Sequence, residues 1–149
     1  MQAQTGGEPF QQAIGRSKGG LSTKIHATVD ALSNPLSFHL TPAQASDLDG
    51  ADKLLPDLAA DTVLADKGYD ANERVIERLQ AQGKTAVIPP KRNRTKLRVY
   101  DKELYKARHL IENFFAKLKQ YRAMATRYDK RAANFLGAIY LAASVIWLN

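Results

Sequence analysis

The strict alternation from Leu21 to Val29 constrains the fold more than any other feature. Leu21, Thr23, Ile25, Ala27 and Val29 fall on one side, and Ser22, Lys24, His26 and Thr28 on the other. A period of two is the period of a strand. Asp30 to Pro35 is rich in turn residues, and Leu36 to Leu40 reads as a second strand, so the two segments predict an antiparallel hairpin. Thr41 and Pro42 are expected to stop that strand, with Ser46 or Asp47 capping a helix over about Leu48 to Leu58. The period then changes again. Thr62 to Ala65 is a short apolar-leaning run, as expected of a buried parallel strand. A helix follows over about Asn72 to Gln82, with Val75, Ile76 and Leu79 inward and Gly83 as its stop. Thr85 to Ile88 reads as a further strand closed by Pro89 and Pro90.

Two helical segments complete the chain, about Lys102 to Tyr121 and Lys130 to Leu148, the latter with Phe135, Ile139, Leu141, Ile146 and Trp147 assigned to the core. The order is β-β-α-β-α-β-α-α, which predicts an α/β fold with a mixed sheet and helices packed on it. Residues 1–20, punctuated by glycines, are expected to form a flexible tail, and residues 21–149 the folded part. Such a sheet calls for a further strand at its front, and one is expected to be missing there.

Composition narrows the function classes. With 149 residues the chain suits one domain with one core. It has no cysteine, which excludes a disulfide framework, a cysteine-based zinc site and a thiol nucleophile. Its 22 Lys and Arg against 15 Asp and Glu give a net charge of +7, pointing to a polyanionic partner. The apolar run from Phe135 to Leu148 is too short for a bilayer, which takes about 20 residues, so no membrane association is expected.

The candidate chemistry lies in three places. On the helix after Lys102, Tyr105, Arg108, Glu112 and Lys119 follow steps of three, four and seven. In an uninterrupted helix all four project within roughly 40° of Glu112. One carboxylate flanked by long cations suits a divalent metal with phosphate oxygens gripped on either side. An ordinary solvated face with Arg–Glu pairing fits the same spacing. Asp66 ends the apolar run at Thr62, where open α/β sheets place ligand-binding groups, although Asp and Gly68 also suit a plain strand-ending turn. Between Lys91 and Arg98 there are five basic residues and no acid, a natural phosphate-contacting loop or a solvated one. The histidines His26, His39 and His109 lack metal-ligand spacing and read as structural or surface residues.

The spacing Tyr105, Arg108, Glu112, Lys119 resembles the Tyr-Arg-Glu-Lys signature of bacterial insertion-sequence DDE transposases. The words from Gly15 to His26, Ala65 to Asp70, Val87 to Pro90, Arg108 to Phe115 and Ala125 to Lys130 are similar to one branch, the insertion-sequence-five family. The resemblance runs from Gly15 to Leu148 and implies a ribonuclease-H-like catalytic core. It implies that Asp66 and Glu112 are two of three acids that hold two Mg²⁺ ions for cutting and joining DNA. By the resemblance Tyr105, Arg108 and Lys119 would contact transposon-end DNA; by their charge alone Lys91, Arg92 and Arg94 of the basic loop are expected to contact phosphates as well. The family's first acid lies on a first strand upstream of the Gly15 word, and nothing in residues 1–20 matches it. The resemblance therefore implies a chain that lacks its first strand and needs an upstream half, joined by frameshifting. The implied partners are double-stranded DNA, as element ends and target, and a second copy in a synaptic dimer. The implied location is the bacterial cytoplasm, at the nucleoid. The alternative is an inactive DNA-binding fragment, either a regulator or a decayed remnant.

Overall fold

The computed structural model describes residues 15–17, 20–121 and 132–148. Three strands form an antiparallel sheet: β1 (Gly15–Ser17), β2 (Gly20–Val29) and β3 (Pro35–Pro42), in that order. β2 and β3 are the hairpin expected from the alternation, with Ile25 opposite Leu40 and Ala27 opposite Phe38. The turn is organised by Asp30, whose carboxylate accepts from the backbone N–H groups of Leu32 at 2.8 Å and Asn34 at 2.9 Å. Ser33 takes the positive φ of 66° that closes the turn. The β3 strand runs through Thr41 and Pro42 rather than stopping before them, since Pro42 at the last position gives up no interior ladder bond. β1 corrects the expected tail: Arg16 pairs with Leu21, so Gly15–Ser17 is sheet, and the rest of the expected tail, apart from Gly20, lies outside the described residues.

Helix α1 (Asp47–Leu54) starts at Ser46, whose hydroxyl accepts from Leu48 N–H at 3.2 Å. It ends earlier than expected because Pro56 has no N–H to carry the helical ladder on, so Leu55, bonded to the Ala51 carbonyl, is its C-cap. The parallel pair β4 (Thr62–Leu64) and β5 (Thr85–Val87) forms a separate two-stranded sheet. The single mixed sheet expected from the element order is thus corrected: no described strand joins β2 or β3 to β4 or β5. Nor is β4 fully buried; its residues are exposed or half-buried, because a two-stranded sheet leaves one edge uncovered. Between the strands a π-helical turn (Asn72–Ile76) runs into α2 (Glu77–Ala81) and stops at Gly83, which has φ of 71°.

The last part of the chain holds α3 (Lys102–Tyr105), a 3-10 turn (Lys106–Arg108), α4 (His109–Leu118) and α5 (Ala132–Leu148). The expected single helix is therefore broken into three pieces. A 3-10 turn advances at about three residues per turn, so Tyr105 and Arg108 do not share the ideal phase with Glu112. Lys119 follows the end of α4 rather than lying within it.

Two apolar clusters replace the one core expected from length. Phe38, Phe114, Leu118, Phe135, Ile139, Ala142 and Ala143 join the hairpin to α4 and α5. Ala51, Leu55, Val75, Ile76, Leu79 and Ile88 join α1 and α2 to the parallel pair. Val75, Ile76 and Leu79 are inward as expected, and so are Phe135 and Ile139. Leu141 and Trp147 are exposed, against their assignment to the core, because the described helices cover only one side of α5.

The hairpin's other face meets α1 through His26. Its Nε2 lies 2.6 Å from the Thr41 hydroxyl, and a Cβ at Gly50 would overlap its ring. Burial holds the His26 pKa below its ordinary value of 6.5; Asp47 and Asp49 oppose this, while His39 and Lys24 reinforce it. The His39 pKa is lowered as well, first by burial and then by Lys53. Depressed histidine pKa values mean that the unfolded chain binds protons first. Stability is therefore expected to be fully present above pH 6.5 and to fall as the pH drops through the lowered folded values. Thermal melts from pH 8 down to pH 5 check this; a flat midpoint would contradict it, and His26→Gln is expected to flatten the dependence.

Candidate nucleic-acid interface

The carboxyl ends of β4 and β5 open into one cleft of about 790 Å³. It is lined by Asp66, Lys67 and Gly68 after β4, by Pro89, Lys91, Arg92 and Asn93 after β5, and by Tyr105 and Arg108. The end of a parallel pair is where the backbone leaves the sheet and side chains converge on a ligand. Four of these residues are cationic and one is acidic, so the cleft carries net positive charge.

Asp66 occupies this rim because the strand ends there and a 3-10 turn begins. Its Oδ1 accepts from Gly68 N–H at 2.7 Å, and its carbonyl accepts from Tyr69 N–H at 3.0 Å. A side chain at 68 would crowd two carboxylates: a Cβ would sit 2.8 Å from Asp66 Oδ1 and 3.0 Å from Asp47 Oδ2. Glycine there lets Asp66 and Asp47 approach each other. Asp47 in turn receives Lys24 Nζ at 3.0 Å. Burial pushes the Tyr69 hydroxyl up to about 12, with Asp47 and Asp66 adding to the shift.

On the opposite wall, the Arg108 guanidinium lies 5.7 Å from the centre of the Tyr105 ring, and Tyr100 packs edge-on against the same ring at 5.7 Å. These contacts restrict Arg108, which also forms an ion pair with Glu112 one turn further on. The Arg–Glu pairing that fits the four-residue spacing is therefore present; Glu112 is exposed and does not itself line the cleft. Lys119 is exposed and does not line the cleft. Arg94 does not line it either. Its guanidinium turns inward to the carboxylate of Asp70.

Asp70 is the residue that sequence reasoning missed. Its carboxylate is fully buried and accepts from Lys91 N–H at 2.8 Å, from Arg98 at 2.7 Å and from Arg94. Burial alone would raise its pKa, but Arg94, the Lys91 N–H and Arg98 outweigh that and hold it below the ordinary 3.8. The signal for it was a charge imbalance: a run of five cations without an acid, opposite an Asp in a word already singled out.

Comparison with known proteins identifies the family. The family model for the transposase DDE domain matches residues 2–147. The chain belongs to the transposase DDE-domain family. It is 39% identical over 133 residues to a Brucella ovis protein named as a transposase for insertion sequence element IS6501, covering 87% of this chain and 100% of that protein. No solved structure matches it.

DDE domains generally use divalent metal ions, so the donors of this chain must be tested against that requirement. Carboxylate oxygens at Asp66 and Glu112 are hard donors suited to such an ion. Their number falls short: among the described residues no three Asp, Glu, His or Cys side chains cluster as a metal site would require. The described residues thus do not make a complete metal centre. Among them, no helix is long and apolar enough to cross a membrane.

Proposed function

We propose that the cleft grips duplex DNA at the ends of an insertion sequence, as part of a ribonuclease-H-like transposase core that cuts and joins those ends by Mg²⁺-dependent phosphoryl transfer. The observation that carries this reading is convergence. Asp66, Lys91, Arg92, Tyr105 and Arg108 come from three separate stretches of chain and line one cleft. Cations on both walls match a phosphate backbone, and an acid on the rim stands where a metal ligand would face the scissile bond. Arg108 has two roles in this reading: it binds phosphate and holds Glu112 beside it.

Asp66 and Glu112 are proposed as metal ligands, with Mg²⁺ providing Lewis-acid stabilisation of charge at phosphorus. A third acid, and the first strand that carries it, would come from an upstream half of the transposase. The complete assembly would then act as a dimer that brings two ends and a target together at the nucleoid. The donor set is incomplete among the described residues, which supports a second reading, in which the chain alone binds element ends without cutting them, as a regulator or a remnant.

Both readings require electrostatic DNA binding, and salt titration tests it. Affinity for duplex DNA carrying the element ends is expected to fall steeply as salt rises. Substituting both Lys91 and Arg92 by alanine should reduce the slope of log affinity against log salt by about 0.9 per lost phosphate contact. Lys119→Ala, at a residue outside the cleft, should alter the slope less than either cleft substitution. An affinity independent of salt would end the proposal.

A further inference from the structure

We infer that Asp70 is a positioning residue that divides the basic loop into anchors and contacts and fixes the contacts against the Asp66 side of the cleft. The inference rests on the DNA-binding reading above and deepens it. The loop carries five cations between Lys91 and Arg98. Two of them, Arg94 and Arg98, turn inward onto one buried carboxylate, which also accepts the Lys91 N–H. Their side chains are 19% and 21% exposed, whereas the Asp70 side chain is 0% exposed. Lys91 and Arg92 line the cleft instead.

The geometry explains why one carboxylate has this leverage. Asp66 and Asp70 are the two ends of a single turn, closed by Tyr69 N–H on the Asp66 carbonyl at 3.0 Å and Asp70 N–H on the Lys67 carbonyl at 3.2 Å. The candidate metal ligand and the loop anchor therefore move as one piece. The bond from Lys91 N–H fixes the backbone at the residue where the chain enters the cleft, which sets where Lys91 and Arg92 begin. A loop with this much like charge would otherwise spread outward in water, since nothing within it offsets the repulsion.

The inference has a sign that simple electrostatics does not share. Asp70→Asn removes a negative charge close to a cationic cleft and frees two arginines, so charge alone predicts tighter DNA binding. Positioning predicts weaker binding. The expected result for Asp70→Asn, measured on a short mixed-sequence duplex by fluorescence anisotropy, is an affinity lower by about tenfold and a smaller salt slope. Trypsin should cut after Lys91, Arg92 and Lys96 several-fold faster than in the parent protein, while cleavage after Lys53 on α1 keeps its rate; such selectivity marks local release rather than global unfolding. If Asp70→Asn fails to fold, Arg98→Gln removes one anchor and leaves Asp70 paired with Arg94, and the same selective cleavage is expected from it. Affinity equal to or tighter than that of the parent, or a loop cut no faster relative to Lys53, overturns the inference. A parent protein that binds no duplex while the variants are cut selectively in the loop would defeat the DNA-binding reading and uphold the anchor.

Discussion

Asp66→Asn, in a transposase competent to cut its element ends, is expected to lower strand cleavage at least about 100-fold while leaving duplex affinity nearly unchanged. The amide preserves shape, and its oxygen still accepts the Gly68 N–H that the carboxylate accepts at 2.7 Å. What it loses is anionic oxygen, the donor that a hard divalent cation requires. Its effect on binding should be slight, because removing one negative charge from a cleft lined by four cations does not weaken attraction for phosphate. Glu112→Gln should lower cleavage likewise, and it also releases Arg108 from its ion pair. Cleavage of a labelled element end with Mg²⁺, beside a gel shift of the same duplex, separates the two quantities. Near-parental cleavage in either variant would remove that residue from the metal assignment.

The largest effect on stability is expected from Phe114→Ala, at about 3–5 kcal/mol. Phe114 is completely buried and lies 5.7 Å from the Phe38 ring and 5.6 Å from Phe115. It sits where the hairpin, α4 and α5 meet, so alanine leaves a cavity walled by packed elements on several sides. Against a typical total of about 5–15 kcal/mol, such a loss lowers the melting midpoint by on the order of 10 °C in a chain of this size. A thermal melt followed by circular dichroism measures it; a midpoint within about 2 °C of the parent would show that this cluster does not hold α4. The variant also tests the link between packing and function, since α4 carries Glu112. Phe114→Leu, which keeps most of the apolar volume, should lose much less.

Local periodicity sets the elements that the structure shares with the sequence. Alternation from Leu21 to Val29 requires a strand whatever surrounds it, because a shift of one residue would turn every inward side chain outward. Ser46 caps α1 and Gly83 closes α2 through bonds and torsions that span only a few residues. Val75, Ile76 and Leu79 face inward because their spacing already forms one helical face. The family was legible as well, since it rests on words of sequence rather than on contacts. Continuity along the chain is what local pattern does not guarantee. The helix expected from Lys102 to Tyr121 is interrupted by a 3-10 turn, and the expected mixed sheet is two sheets.

The sequence by itself determined that this chain is an α/β protein of the DDE transposase family, with a hairpin, a parallel pair and a basic loop in a known order. Tertiary structure alone decided which charged residues share space. Asp66, Lys91, Arg92, Tyr105 and Arg108 lie on three stretches of chain, and their meeting in one cleft depends on how β4, β5 and α3 pack. The same packing buries Asp70 and turns Arg94 away from the cleft that its neighbours line. The reason is physical. Backbone propensity and hydrophobic period act over a few residues and can be read along the chain, whereas an ion pair depends on distance and burial across separations of more than twenty residues. Composition counts five cations in the loop; only the fold tells which of them are held by a buried carboxylate and which are free to meet a phosphate.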